Sequence, residues 1–276
     1  MLARSQGLPA DTRQAARELE RERGRAAAAR LRSMPVNAVG QVELEAAYVL
    51  HARPYRESSQ LLEILARRQG RLGLVARGAR GRRPRWRSAL QPFQPLRLSW
   101  RGRGTLCSLV AAEAAGPPLP LRGTALMSAW YLNELVLAFT TRADPHPELF
   151  AHYGAALAGL AQDAGTELAL RRFELALLTE LGYGLSVERV AGGSQRLDPD
   201  AEYIYLAESG AVPAGGSADG PRFRGAELQA IAAGRFDEPS LLRQARRLLG
   251  SLIRYHLGER ELRTRRVFEA MRPSRT

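Results

Sequence analysis

The hydrophobic period of the chain changes at Gly116-Pro117-Pro118-Leu119-Pro120, and that change limits the fold more than any other feature. Closely spaced prolines remove backbone donors and fix φ, so neither a helix nor a central strand can run through them. Before this stretch apolar residues alternate; after it they recur every third or fourth position. A β unit followed by a mainly helical unit, class α+β, is the arrangement these periods predict.

On the β side, alternation predicts strands at Val42–His51, Gln60–Arg67, Arg71–Ala76, Gln94–Trp100 and Thr105–Ala112, with turns at Gly70 and at Arg101-Gly102-Arg103-Gly104. In the fourth run Leu96, Leu98 and Trp100 share a face opposite Arg97, Ser99 and Arg101. Five short antiparallel strands within about 70 residues, with one long loop between the third and fourth, suit a small closed barrel of the OB type. The expected domains are therefore 41–115 for the barrel and 118–276 for the helical unit.

Helical stripes are expected at Arg122–Thr140, Pro147–Gln162, Glu167–Gly182, Glu238–His256 and Leu262–Met271. In the third, Leu170, Phe173, Leu177 and Leu181 form the expected core face, and Arg171, Leu175 and Leu178 an adjacent one. Residues 191–220 read as a Gly-rich, irregular insertion with a short β-like Glu202–Leu206. Residues 1–40 read as a poorly ordered basic extension, because Asp11–Arg32 mixes Ala, Arg and Glu with too few large apolar residues to bury a face. Met34, just ahead of the first strand, is an alternative start.

The 276 residues carry 41 Lys+Arg against 28 Asp+Glu, a formal charge of +13, and every one of the cations is arginine. An excess of this size favours a polyanionic partner, and without a long apolar run that partner is nucleic acid rather than membrane. The charge concentrates in Gly70–Arg87. There Leu72, Leu74 and Ala76 alternate with Arg71, Val75 and Arg77, and a loop with Arg80, Arg82, Arg83, Arg85 and Arg87 surrounds Trp86. An inward apolar row with an arginine-bearing outer row is what a phosphate-tracking sheet needs. Tyr48, Tyr55, Trp86 and Phe93 are candidate base-stacking rings, each with core or rim filling as its competing role.

Chemistry is sparse. Cys107 is the only cysteine, and His51, His146, His152 and His256 are scattered, so the sequence offers no disulfide and no zinc spacing. A lysine-free chain has no GxxxxGK[ST] phosphate loop, and no GxSxG elbow or acidic magnesium cluster is present. The expectation is a cytoplasmic binding protein with no cofactor and no metal, not an enzyme.

Several words of the sequence occur together in one known family: Tyr48–Glu57 (YVLHARPYRE), Gly70-Arg71 with Val75–Arg80, Leu90–Leu96 (LQPFQPL), Tyr131–Leu135, Ala169–Leu175 and Leu181–Gly184 (LGYG). In this order they resemble the RecO family of bacterial DNA repair proteins, over about Val42 to Met271. The resemblance implies an OB-fold and a helical domain in a non-enzymatic recombination mediator. Such a mediator binds single- and double-stranded DNA, anneals complementary strands, and acts with RecR, often with RecF, to help RecA displace single-stranded DNA-binding protein (SSB).

Arg53, Arg56, Arg71, Arg77, Arg80, Arg82, Arg83 and Arg85, with Trp86, become the DNA-binding candidates. The resemblance also implies a site for the acidic, phenylalanine-ending SSB tail at Arg171; Arg172 is counted with it, and helix geometry adds Leu175 and Leu178 as the apolar wall. A helix-surface pair of Arg171 with Glu174 is the competing role. Many relatives carry a four-cysteine zinc module after LGYG; this chain has none, so packing and hydrogen bonds must hold its insertion. An RNA-binding OB module with a helical partner domain is the alternative that the same charge and rings allow.

Overall fold

The computed structural model describes residues 40–80, 86, 89–162, 165–215 and 219–264. Residues 1–39, most of the arginine loop and the last expected helix beyond 264 lie outside that set.

The β side closes into a barrel. Its strands are β1 (Gln41–Tyr55), β2 (Ser59–Ala66), β3 (Gly70–Ala76), β4 (Leu96–Arg101) and β5 (Leu106–Ala114). They run in the order β1-β2-β3-β5-β4, and β4 returns to β1. Every pairing is antiparallel except β3 with β5, where Gly73, Leu74 and Val75 lie beside Leu106, Cys107 and Ser108. Alternation fills the interior: Leu62, Ile64, Leu72, Leu74, Leu96, Leu98 and Trp100 point inward, while Arg97 and Arg101 stay in solvent.

The outward face of β1 joins this barrel to the helical unit. Successive residues of a strand point to opposite faces, so Val49 and Leu50 leave on different sides just where the β1–β2 register shifts, between Val49 and His51. Val49 packs inside the barrel, whereas Leu50 joins Leu65 in the core of the helical unit. There the Asn133 amide donates to the Leu50 carbonyl at 2.8 Å, and the Tyr153 hydroxyl donates to Asn133 Oδ1 at 2.6 Å. Buried polar groups satisfied in this way hold one docking geometry, since any other would strand them.

The helical unit contains α1 (Gly123–Phe139), α2 (Pro147–Leu160), α3 (Thr166–Glu180), α4 (Gly225–Ala232) and α5 (Pro239–Leu257). The expected helices match α1, α2, α3 and α5 to within about one turn; α4 was not expected, being short and opened by a glycine. No described helix is long and apolar enough to cross a membrane.

The insertion is more regular than expected. Three strands, β6 (Glu202–Leu206), β7 (Gly210–Pro213) and β8 (Arg222–Arg224), form a small sheet in the order β7-β6-β8. Strands of three to five residues are too short to show a period, which is why only β6 was legible. Tyr203, Ala211 and Phe223 sink into the helical core. The Tyr203 and Tyr205 hydroxyls accept from the backbone N–H groups of Asp198 and Ser186, at 2.9 and 2.8 Å.

Gly70 shows how tight the joint between the units is. Its φ is +66°, and a Cβ there would stand 2.1 Å from the Asp144 carbonyl oxygen. Beside it, the Ala143 N–H donates to the Arg71 carbonyl at 2.8 Å. Gly70→Ala therefore combines left-handed strain with a backbone clash, and should lower the unfolding free energy by about 3 kcal/mol or more in urea denaturation. A loss below about 1 kcal/mol would mean that the joint relaxes at little cost.

Candidate nucleic-acid interface

Where β1 turns into β2, Tyr55, Arg56, Ser58 and Ser59 meet Val75 and Arg77 from the end of β3 and Ser108 from β5 around an open groove of about 360 Å³. The register explains the convergence. Arg53 pairs with Leu61, Leu61 with Val75 and Val75 with Ser108, so one outward-facing row crosses four strands. Arg53, Arg56, Arg77 and Arg80 are all exposed. Arg56 sits in a left-handed conformation, φ 51°, and its guanidinium lies 5.2 Å from the Tyr55 ring centroid.

The start of the arginine loop is held from two sides. The Arg80 N–H donates to the Ser58 carbonyl at 2.9 Å, and the Trp86 indole N–H donates to the Arg77 carbonyl at 3.1 Å. Trp86 is buried with the barrel core, so it is an anchor for the loop rather than a free stacking ring. Arg82, Arg83 and Arg85 lie outside the described residues.

Three further expectations change. Arg71 faces outward as read, but the helical unit covers it. Its guanidinium is 3.3 Å from Glu63 and donates to the Thr140 carbonyl at 2.7 Å, with Arg142 completing the cluster on Glu63, and burial lowers its pKa. It ties the two units together, and only 16% of its side chain is exposed, which leaves little of the guanidinium for a phosphate.

Tyr48 and Phe93 are likewise interface residues. Tyr48 packs on Phe150 and Tyr153, and Phe93 lies edge-on to Trp130, 4.8 Å between centroids. Of the candidate stacking rings, Tyr55 is the one placed in the groove. Sequence reasoning missed Ser58, Ser59 and Ser108. The first two could have been found from their adjacency to Arg56; Ser108 has no local signal, because the parallel β3–β5 pairing alone brings it there.

The helical candidates separate. On α3, Arg172 is exposed and Leu175 half-buried, but Arg171 and Leu178 are 5% and 1% exposed. The buried face of α3 is rotated from the expected stripe and includes Arg171, Phe173, Glu174, Leu177 and Leu178. Arg171 Nη2 lies 2.7 Å from Glu174 Oε1, which also accepts from the Tyr131 hydroxyl at 2.8 Å. Among the described residues, neither Arg171 Nε nor Glu174 Oε2 has a hydrogen-bond partner. Burial pushes the Glu174 pKa up, with Arg171, Tyr131 and Arg246 pulling it down and Glu167 adding to the rise. The pair is buried rather than exposed, so it is not the surface pair that helix spacing suggested.

Among the described residues, no group of three or more His, Cys, Asp or Glu side chains could hold a metal ion. The groove instead offers guanidinium forks, hydroxyl donors and one accessible ring, the groups that hold phosphates and stack a base.

A closed five-stranded barrel of OB type, bearing this groove and docked on a helical unit, defines the class: an OB-fold protein with a helical companion domain. The family profile for recombination protein O, N terminal, matches residues 42–118, and that for its C terminal matches 121–266. The protein named DNA repair protein RecO in Nitrosococcus oceani is 44% identical over 233 residues, covering 84% of this chain and 95% of the relative. That of Methylococcus capsulatus is 44% identical over 230 residues, 83% and 94% of the two chains. That of Ralstonia nicotianae is 39% identical over 271 residues, 97% of each. The chain belongs to the RecO family of DNA repair proteins.

Proposed function

We propose that this protein is a non-catalytic recombination mediator of the cytoplasm, whose barrel collects single- and double-stranded DNA. Its helical domain receives the SSB tail, and with RecR, and with RecF where present, it helps RecA take over the strand. The observation that carries the reading is the groove, where Arg56 and Arg77 flank hydroxyls and a tyrosine ring beside the base of the arginine loop. Guanidinium groups that neutralise two strands at once lower their repulsion and leave base edges free to pair, which is annealing.

The test is annealing of complementary labelled oligonucleotides by the purified chain, with RNA strands of the same sequence as competitors. Acceleration is expected, and reversing the charges of Arg80, Arg82 and Arg83 should abolish it. No acceleration, or a strong preference for RNA, overturns the reading in favour of an RNA-binding module.

A tail ending in a carboxylate and an aromatic ring needs a guanidinium beside a dry pocket. Glu174 already occupies Arg171, so an incoming carboxylate has to displace it. Glu174→Gln should therefore bind an SSB-tail peptide about tenfold more tightly, about 1.4 kcal/mol, in a fluorescence titration. Equal or weaker binding would place the tail carboxylate on another cation, with exposed Arg172 the nearest along the helix.

A further inference from the structure

α5 contains no acidic residue. Ala245, Leu248, Leu249, Leu252 and Ile253 are buried, while Arg243, Arg246, Arg247 and Arg254 are exposed. The exposed positions follow helical spacing, so the four guanidiniums form a stripe from Arg243 to Arg254, about 16 Å of helix at about 1.5 Å per residue. Among the described residues, none of the four has a carboxylate within ion-pair distance. Arg247 donates to Gln244 Oε1 at 2.9 Å, and its guanidinium lies 5.8 Å from the Phe223 ring.

A stripe of this kind on its own is a solvated face. The C-terminal end of the same helix adds a second feature. Tyr255 is 50% exposed, and Tyr183, from the loop after α3, is 43% exposed. The Tyr183 ring stacks on His256 at 3.9 Å and 21°, and Tyr255 meets His256 edge-on at 5.2 Å. Glu208 accepts from the Tyr255 hydroxyl, which orients that ring. Two exposed rings fixed by a histidine and a carboxylate lie at the end of a row of four arginines. Charge along a line with rings at its end is how single strands are held, by phosphate contact and base stacking.

We propose that the solvent face of α5, with Tyr183 and Tyr255, is a second track for single-stranded nucleic acid. It shares no residue with the barrel groove, and it rests on the reading of this chain as a nucleic-acid binder. With one strand in the groove and another on α5, the protein presents two strands to each other, which adds to the charge neutralisation supplied by the groove and its loop.

The test uses the full chain and oligonucleotides substituted with bromouracil. Photocrosslinks at Tyr183 or Tyr255, mapped by mass spectrometry, are expected beside those in the barrel. In parallel, Arg243→Gln/Arg246→Gln/Arg247→Gln should make the slope of log affinity against log salt shallower by about 2–3, with its thermal melt kept as a control on folding. The same variant should slow annealing.

If the parent binds no DNA, the functional reading falls and this inference with it. If the parent binds but crosslinks map only to the barrel and the variant keeps the parent's slope, the second track alone is overturned. Loss of binding to an acidic peptide, with DNA binding intact, would overturn it too and make the stripe a protein-docking surface.

Discussion

Replacing Arg171 with alanine should lower the free energy of unfolding by about 3–5 kcal/mol at neutral pH, the usual cost of stranding one partner of a buried ion pair. Glu174 is 1% exposed and, among the described residues, would keep only the Tyr131 hydroxyl, 2.8 Å away, as a hydrogen-bond partner. Its pKa is already raised by burial, and losing Arg171 removes the largest influence holding it down.

For an acid whose folded pKa lies above its unfolded one, the folded state binds more protons across that interval. Its favourable contribution is therefore present at low pH and is lost as pH rises through the folded pKa. The gap between Arg171→Ala and parent should accordingly narrow as pH falls toward the Glu174 range, and widen again above it. Urea denaturation at a series of pH values checks this, and a gap independent of pH would show that Glu174 is not the group left stranded. The same instability makes Arg171→Ala a poor probe of tail binding, which is why Glu174→Gln is the better variant for that purpose.

Reversing Arg56 and Arg77 to glutamate should weaken single-stranded DNA binding on the order of a hundredfold at low salt, and make the salt slope shallower by about 2. Both side chains line the groove and are exposed, so the loss should come with little change in unfolding free energy. Anisotropy titrations at several salt concentrations separate this from misfolding, because lost phosphate contacts change the slope whereas a partly unfolded sample scales the amplitude. Unchanged affinity and slope would remove the groove from DNA binding and leave the arginine loop or α5 to carry it. Tyr55→Ala in the same assay should cost about 1–3 kcal/mol of binding, the range for one stacked base.

Period alone located the barrel strands and four of the helices, because burying one face of a strand or helix imposes a spacing that survives without knowledge of neighbours. Charge picked out Arg53, Arg56, Arg77 and Arg80, and these are exposed, since charge needs no partner to be seen. Family resemblance covered nearly the same span as the matched profiles.

What tertiary structure decided is which side of each element meets another. Arg71 stands on the outward face of β3, as alternation requires, yet Thr140 and Glu63 claim its guanidinium. Tyr48 and Phe93 look like solvent-facing rings until α1 and α2 dock on them, and Trp86 looks like a stacking ring until the barrel closes around it. On α3, Arg171 and Glu174 have the spacing of a surface pair. They are buried because α1 places Tyr131 against them, from about 40 positions earlier in the chain.

Ser108 reaches the groove only through the parallel pairing of β3 with β5. A local pattern encodes how much of an element is buried. Against what it is buried depends on contacts distant in sequence, and in this chain those contacts separated candidate binding residues from structural ones.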